Sequence, residues 1–228
     1  MMARALIFDV DGTLAETEEA HRQAFNETFA RWGLGWHWSR ADYRRLLATT
    51  GGKERIRAFQ GGLPEGERLG DEAIARLHRE KAALYGEILA SGGLSPREGV
   101  SELIEAARKA GRRLAVATTT NLPNVEALTR CLWGKGAGEV FEVIAAGDEV
   151  AAKKPAPDVY LLALEGLGLP AVEALAFEDS RNGVLSARGA ALEVIVTPSA
   201  YAAGEDFTGA ALVTPSLAGP PVRALALG

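Results

Sequence analysis

The chain has 228 residues, enough for one large α/β domain or for a core carrying a smaller insert, and its 47% hydrophobic content argues against global disorder. A net charge of −5 excludes the broad basic face of a non-specific nucleic-acid binder but leaves room for a local cationic cleft. A lone cysteine forbids an internal disulfide, no apolar run approaches the ~20 residues of a membrane span, and MMARALIFDV carries no leader pattern, so a cytoplasmic, membrane-free, monomeric protein is expected.

The first predicted element is a buried strand over residues 5–8, with Asp9 and Asp11 placed where it should end. Residues 16–90 then read as helical throughout, and the stretch SGGLSPREGV makes a glycine- and proline-punctuated return. Beyond it, helices over 100–110, 123–131, 157–167 and 182–188 alternate with strands over 113–118, 143–146, 175–177 and 193–196. This alternation predicts an α/β fold with a doubly wound parallel sheet, which binds ligands at the carboxyl ends of its strands. The expected division is core over 1–15, an inserted helical cap over 16–90, and the rest of the core over 91–228.

Residues i and i+2 of an extended segment point the same way, so Asp9 and Asp11 can face one site. Two close carboxylates call for a cation or a shared proton, and a hard ion such as Mg²⁺ suits oxygen ligands. An EF-hand loop does not fit, because Leu14 stands where its glycine belongs and Ala20 where its closing glutamate belongs. A turn using aspartates for local hydrogen bonds remains open on DVDG alone. Other strand ends narrow the choice. Thr118, Thr119, Thr120 and Asn121 follow one strand, Lys154 precedes Pro155 in a loop, and Glu178, Asp179 and Ser180 follow another apolar run. Acids for a metal, a hydroxyl for a phosphate oxygen and one ammonium suit phosphoryl transfer.

In the helical segment, Ile74, Leu77, Leu84, Tyr85 and Ile88 form one stripe, with Lys81 inside it and His78 on an adjoining face. An inward lysine either meets an anion or reaches water past the stripe. Thr49, Thr50, Gly51 and Gly52 lead into a short helix bearing Lys53, either a flexible loop or an anion site at a helix start. If both features serve binding, the segment grips a second anion, and a substrate with two phosphates follows. Trp36 and Trp38 are expected to pack within the cap.

The order DVDGT, Thr118, Lys154 before proline, then EDS resembles the haloacid dehalogenase superfamily of phosphotransferases, and the insert looks like its small helical cap. The resemblance implies Asp9 as nucleophile, Asp11 as general acid/base, Thr118 and Lys154 on the transferring phosphate, and Asp9, Asp11 and Asp179 on Mg²⁺ with Glu178 in support. Within the superfamily, LAETEEAHRQAFN, TTGGKERI, LHREK and VTPSAYAAGEDFTGAALV resemble the CbbY-type phosphatases. That likeness implies action on xylulose 1,5-bisphosphate, a Rubisco inhibitor, at C1 to give xylulose 5-phosphate. It also implies a substrate set of Glu16, Thr49, Thr50, Gly51, Gly52, Lys53, His78, Arg79, Lys81, Thr118 to Asn121, and Asn124. His21, ten residues after Asp11, falls at a position that matters in β-phosphoglucomutase-type relatives. A sugar phosphomutase, or a phosphatase of broad sugar-phosphate range, therefore stands as the alternative.

Overall fold

The structure, a computed structural model, describes residues 3–228. Its centre is a six-stranded parallel sheet in the order β3-β2-β1-β4-β5-β6. The strands are β1 Ala5–Phe8, β2 Arg113–Ala117, β3 Val143–Ala145, β4 Ala174–Glu178, β5 Glu193–Val196 and β6 Leu212–Val213. The sequence reading matches the first five to within a residue or so at each end. It omits β6, whose two residues are too short to show alternation.

Side-chain alternation sorts the sheet into two buried faces. Leu6, Phe8, Val116, Leu175, Phe177 and Ile195 pack into one hydrophobic cluster, while Ala5, Ile7, Ala115, Ala176, Val194 and Val196 pack into the other. Both faces being covered explains why the central strands are continuously apolar. β1 lies between β2 and β4, so its carboxyl end, with Asp9 just beyond, lies between the ends of both neighbours. The chain reverses the direction in which strands are added at β1, and the site is built at that switch point.

Before β2 come five helices: α1 Glu18–Arg31, α2 Arg40–Leu46, α3 Gly52–Gln60, α4 Asp71–Ala90 and α5 Val100–Lys109. The first four, with a short 3₁₀ turn at Glu65–Glu67, fill the segment read as helical. They close around their own cluster of Phe25, Phe29, Trp36, Trp38, Tyr43, Ile56, Ile74 and Leu77. Trp36 and Trp38 are core residues of this unit, as expected. The unit is nonetheless joined to the sheet by its longest helices. Ala20 and Ala24 of α1, and Leu84, Tyr85 and Leu89 of α4, are buried in the cluster over the sheet. Leu89 takes the fully buried place expected of Ile88, which is only partly buried.

The remaining helices are α6 Leu122–Trp133, α7 Ala137–Val140, α8 Asp158–Leu167, α9 Arg181–Gly189 and α10 Pro220–Leu227. Helices α6 and α9 start directly after strand-end loops and are capped by Asn121 and Ser180, which accept from Asn124 N–H and Gly183 N–H. Their N-termini therefore face the cleft above the sheet.

Candidate active site

Asp9 stands one residue beyond β1, buried, and its Oδ1 accepts from Lys154 Nζ at 2.7 Å. The same ammonium donates to Glu178 Oε1 at 2.5 Å and to Ala117 O at 2.9 Å. All three of its donors are thus placed, and it sits 5.0 Å from the centre of the Tyr160 ring. Glu178 Oε1 also accepts from the Tyr160 hydroxyl at 2.7 Å, so Glu178 fixes the lysine from below. Burial works against the Lys154 charge, but Asp9 and Glu178 outweigh it and raise its pKa above the ordinary lysine value. Burial raises Asp9 to about 7 against the pull of Lys154. Asp179 is raised well above the usual carboxylate range, by burial and then by the charges of Asp9 and Glu178.

One oxygen from each of Asp9, Glu178 and Asp179 falls within a mutual 4.8 Å. Three buried carboxylates face one ammonium, an oxygen-only donor set with a surplus of negative charge, and a hard divalent cation fits it. Asp11 does not belong to this cluster, contrary to the expectation for its carboxylate. Its Oδ1 accepts from Thr17 Oγ1 at 2.6 Å and meets His21 Nε2 at 3.0 Å, turning the group toward α1. Burial raises Asp11, but the His21 charge, the His21 and Thr17 hydrogen bonds and Lys81 together bring it down to about 2. Directly after Asp11, Gly12 has φ +86°, and a Cβ there would run into the Asp179 carboxylate. DVDGT therefore needs its glycine for conformation and for room.

Lys81 is brought into the site by a different route from the one expected. It is only 3% exposed, and its Nζ lies 2.6 Å from His21 Nδ1. The His21 ring stacks on Tyr85 at 3.9 Å, and the ammonium rests 4.6 Å from the Phe25 ring. A line of contacts thus runs Lys81–His21–Asp11. Burial is the largest influence on Lys81 and lowers it to about 7, against the pull of Asp11. His21 is lowered as well, by burial and then by Lys81.

Two outcomes follow for Lys81→Met, and both are measurable. Because the contact line ends on Asp11, kcat should fall by a similar factor, about tenfold, for mono- and bisphosphates alike. Stability carries a second signature. Between about 7 and the ordinary 10.5, the unfolded chain holds a proton on Lys81 that the folded chain has released. Stability of the parent therefore rises with pH across that window relative to the variant, as denaturant titrations of both would show.

The cleft is lined by Asp9, Asp11, Thr119, Thr120, Asn121, Asn124, Lys154 and Asp179 on the core side. Thr118 is buried at the end of β2, its hydroxyl accepting from Thr120 N–H at 3.2 Å. The helical unit contributes His21, Thr50, Gly51, Gly52, His78 and Lys81, all anticipated. Thr50 donates from its hydroxyl to Lys154 O, joining the two walls. Besides Thr118 and Glu178, which are fully buried, four expected residues lie off the cleft lining. Arg79 is exposed on α4, since one residue past His78 turns 100° away. Thr49 is half-buried, and Lys53 is drawn to Asp148 at 3.7 Å. Glu16 accepts from Ala200 N–H and faces Arg97 at 3.5 Å, on the rear of the loop between β1 and α1.

In place of Glu16 the cleft holds Glu18, and in place of Lys53 it holds Arg55. Arg55 Nη1 donates to the Tyr43 hydroxyl at 2.9 Å, which in turn donates to Glu18 Oε2 at 2.9 Å. Glu18 was detectable as a partner of His21, three residues on and hence on one helix face. Arg55 stands three residues after Gly52, on the same face of α3. His78 is lowered to about 3 by burial and then by Lys81, Lys53 and Lys153, so it meets a ligand as a neutral imidazole.

These features offer a phosphate a buried carboxylate, a fixed ammonium and an acid set that a divalent cation fits. The family model for haloacid dehalogenase-like hydrolases matches residues 3–191. Protein CbbY of Rhodobacter capsulatus is 58% identical over 225 residues, 99% of this chain and 98% of the relative. The crystal structure of CbbY from Rhodobacter sphaeroides in complex with phosphate superposes with a TM-score of 0.92 at 52% identity, covering 95% of this chain and 96% of that one. A variant of that protein, crystallised with xylulose 1,5-bisphosphate, matches with the same TM-score, identity and coverage. Motif geometry, sheet order and near-full-length likeness agree, and the chain belongs to the haloacid dehalogenase-like hydrolases.

Proposed function

We propose that this chain is an Mg²⁺-dependent sugar bisphosphate phosphatase that takes the C1 phosphoryl group of xylulose 1,5-bisphosphate onto Asp9 and then passes it to water, releasing xylulose 5-phosphate and so removing a Rubisco inhibitor. The observation that carries this reading is the Asp9–Lys154–Glu178 arrangement, a buried carboxylate held by one oxygen on a fixed ammonium. Lys154 engages Oδ1, and Oδ2 is the oxygen that attacks phosphorus, forming an aspartyl-phosphate and splitting one difficult step into two. Thr118, Lys154 and the N–H groups at the start of α6 receive the phosphoryl oxygens. Asp9 and Asp179 would hold Mg²⁺, with Glu178 supporting from its bond to Lys154. Bound there, the cation supplies positive charge against the transferring group.

Asp11 gives a proton to the leaving C1 oxygen and later takes one from the attacking water. His21 and Lys81 stand in line behind it, delivering the first proton to a carboxylate that is otherwise ionised and taking up the second after water has attacked. The non-reacting phosphate is received by the opposite wall, where Arg55, neutral His78 and the backbone at Gly51 and Gly52 meet. The division into a core and a cap over 16–90 belongs to this proposal, with the cap unit closing over the substrate. The relative crystallised with xylulose 1,5-bisphosphate supports the choice of substrate.

The expected result is net inorganic phosphate from xylulose 1,5-bisphosphate, lost on chelation and restored by Mg²⁺. Calorimetric titration of Mg²⁺ into Asp179→Asn should show weaker binding than into the parent. Rapid conversion of β-glucose 1-phosphate to the 6-phosphate without phosphate release would favour the mutase. Equal turnover of many sugar monophosphates would favour a broad phosphatase.

A further inference from the structure

The loop that delivers Lys154 carries a second lysine immediately before it. Lys153 lines the cleft with a side chain only 16% exposed, and its ammonium lies 3.6 Å from Glu54 Oε2 on α3. That separation is too long for a hydrogen bond, and the Glu54 Oε2 atom is sealed from solvent with no hydrogen-bond partner. The lysine stem passes over Gly51, which has φ +90°, and a Cβ on Gly51 would come within 2.9 Å of Lys153 Cδ. The next residue, Gly52, leaves the space taken by His78 Nε2. The two glycines thus clear a track from the core loop to the cap wall.

A second pair crosses the same rim in the opposite sense, with Lys53 of α3 reaching Asp148 on the core side at 3.7 Å. Loose ion pairs of this kind stabilise little, so a clasp alone does not account for a lysine so deeply placed. Lys81, Lys53 and Lys153 all lie near enough to help lower the pKa of His78. Arg55 lines the same cleft.

We propose that Lys153 is a specificity-determining residue that leaves Glu54 to meet the non-reacting phosphate of the substrate from the core side, opposite the cap groups. This rests on the bisphosphate reading above. The adjacent lysines are then divided between two phosphates: Lys154 turns down to Asp9 and the reacting group, and Lys153 runs across Gly51 to the distal one.

The test compares kcat/KM for xylulose 1,5-bisphosphate and xylulose 1-phosphate, together with inhibition by xylulose 5-phosphate, which carries only the distal phosphate. For Lys153→Met the bisphosphate value should fall about tenfold to hundredfold, mostly through KM, with a much smaller loss on the monophosphate. Inhibition by xylulose 5-phosphate should weaken by a similar factor, and Lys153→Arg should recover part of both. Glu54→Gln removes the parking partner and should keep the preference for the bisphosphate. Equal losses on both substrates, or a Glu54→Gln variant that loses the preference as fully as Lys153→Met, would overturn the assignment and leave Lys153 a clasp. A parent enzyme with no preference for the bisphosphate would instead overturn the function proposed above.

Discussion

Asp9→Asn is expected to slow phosphate release by at least about 10³-fold, the largest loss any single substitution in this chain should cause. The amide is nearly the same size, and its carbonyl can still accept from Lys154, so the contact at 2.7 Å has a counterpart in the variant. What it lacks is a nucleophilic oxygen anion. The prediction therefore separates chemistry from folding: circular dichroism and the thermal midpoint should stay close to those of the parent while turnover disappears. Substrate binding should survive, so xylulose 1,5-bisphosphate should still raise the thermal midpoint of the variant. Phosphate release within tenfold of the parent, from folded and uncontaminated protein, would sink the covalent route through Asp9.

That reaction centre was largely legible in the sequence, because each member follows a strand and strands announce themselves by buried apolar runs. Asp9 after Ala5–Phe8 and Asp179 after Ala174–Glu178 are fixed by the ends of neighbouring parallel strands, which share a register. Lys154 was legible through its proline. The opposite wall was harder because helical residues one position apart point in different directions. Glu16, Glu18 and Glu19 are crowded together, and only the helix start at Glu18 decides that Glu18 and His21 share a face. Arg79 was misplaced for the same reason. The inward direction of Lys81 was readable from its stripe, but its partner was not, since His21 is 60 residues away and the pairing depends on how α1 packs on α4. Lys53 shows the reverse case: a cation at a helix start, expected to bind a ligand, is met by Asp148 from another part of the chain.

Lys154→Met is the second large effect, and it should appear in both activity and stability. Methionine keeps much of the stem beside Tyr160 but removes the donors to Asp9, Ala117 O and Glu178. Losing a preorganised cation at the transferring group should lower kcat by roughly 10²–10³-fold. Breaking a buried ion pair by deleting one partner commonly costs about 3–5 kcal/mol, because the other charge stays buried. Here Asp9, Glu178 and Asp179 would remain together without their ammonium. The variant should therefore melt at a lower temperature than the parent, and Mg²⁺ should recover part of the loss by supplying positive charge to the same oxygens. Lys154→Arg should rescue poorly, since a flat guanidinium cannot place three donors around one nitrogen as Nζ does. Two results would count against this account: kcat kept within tenfold of the parent, or a thermal midpoint indifferent both to the substitution and to Mg²⁺. The first would remove Lys154 from the chemistry. The second would mean the three carboxylates are neutralised by protons rather than by a cation, and the divalent site would lose its physical motive.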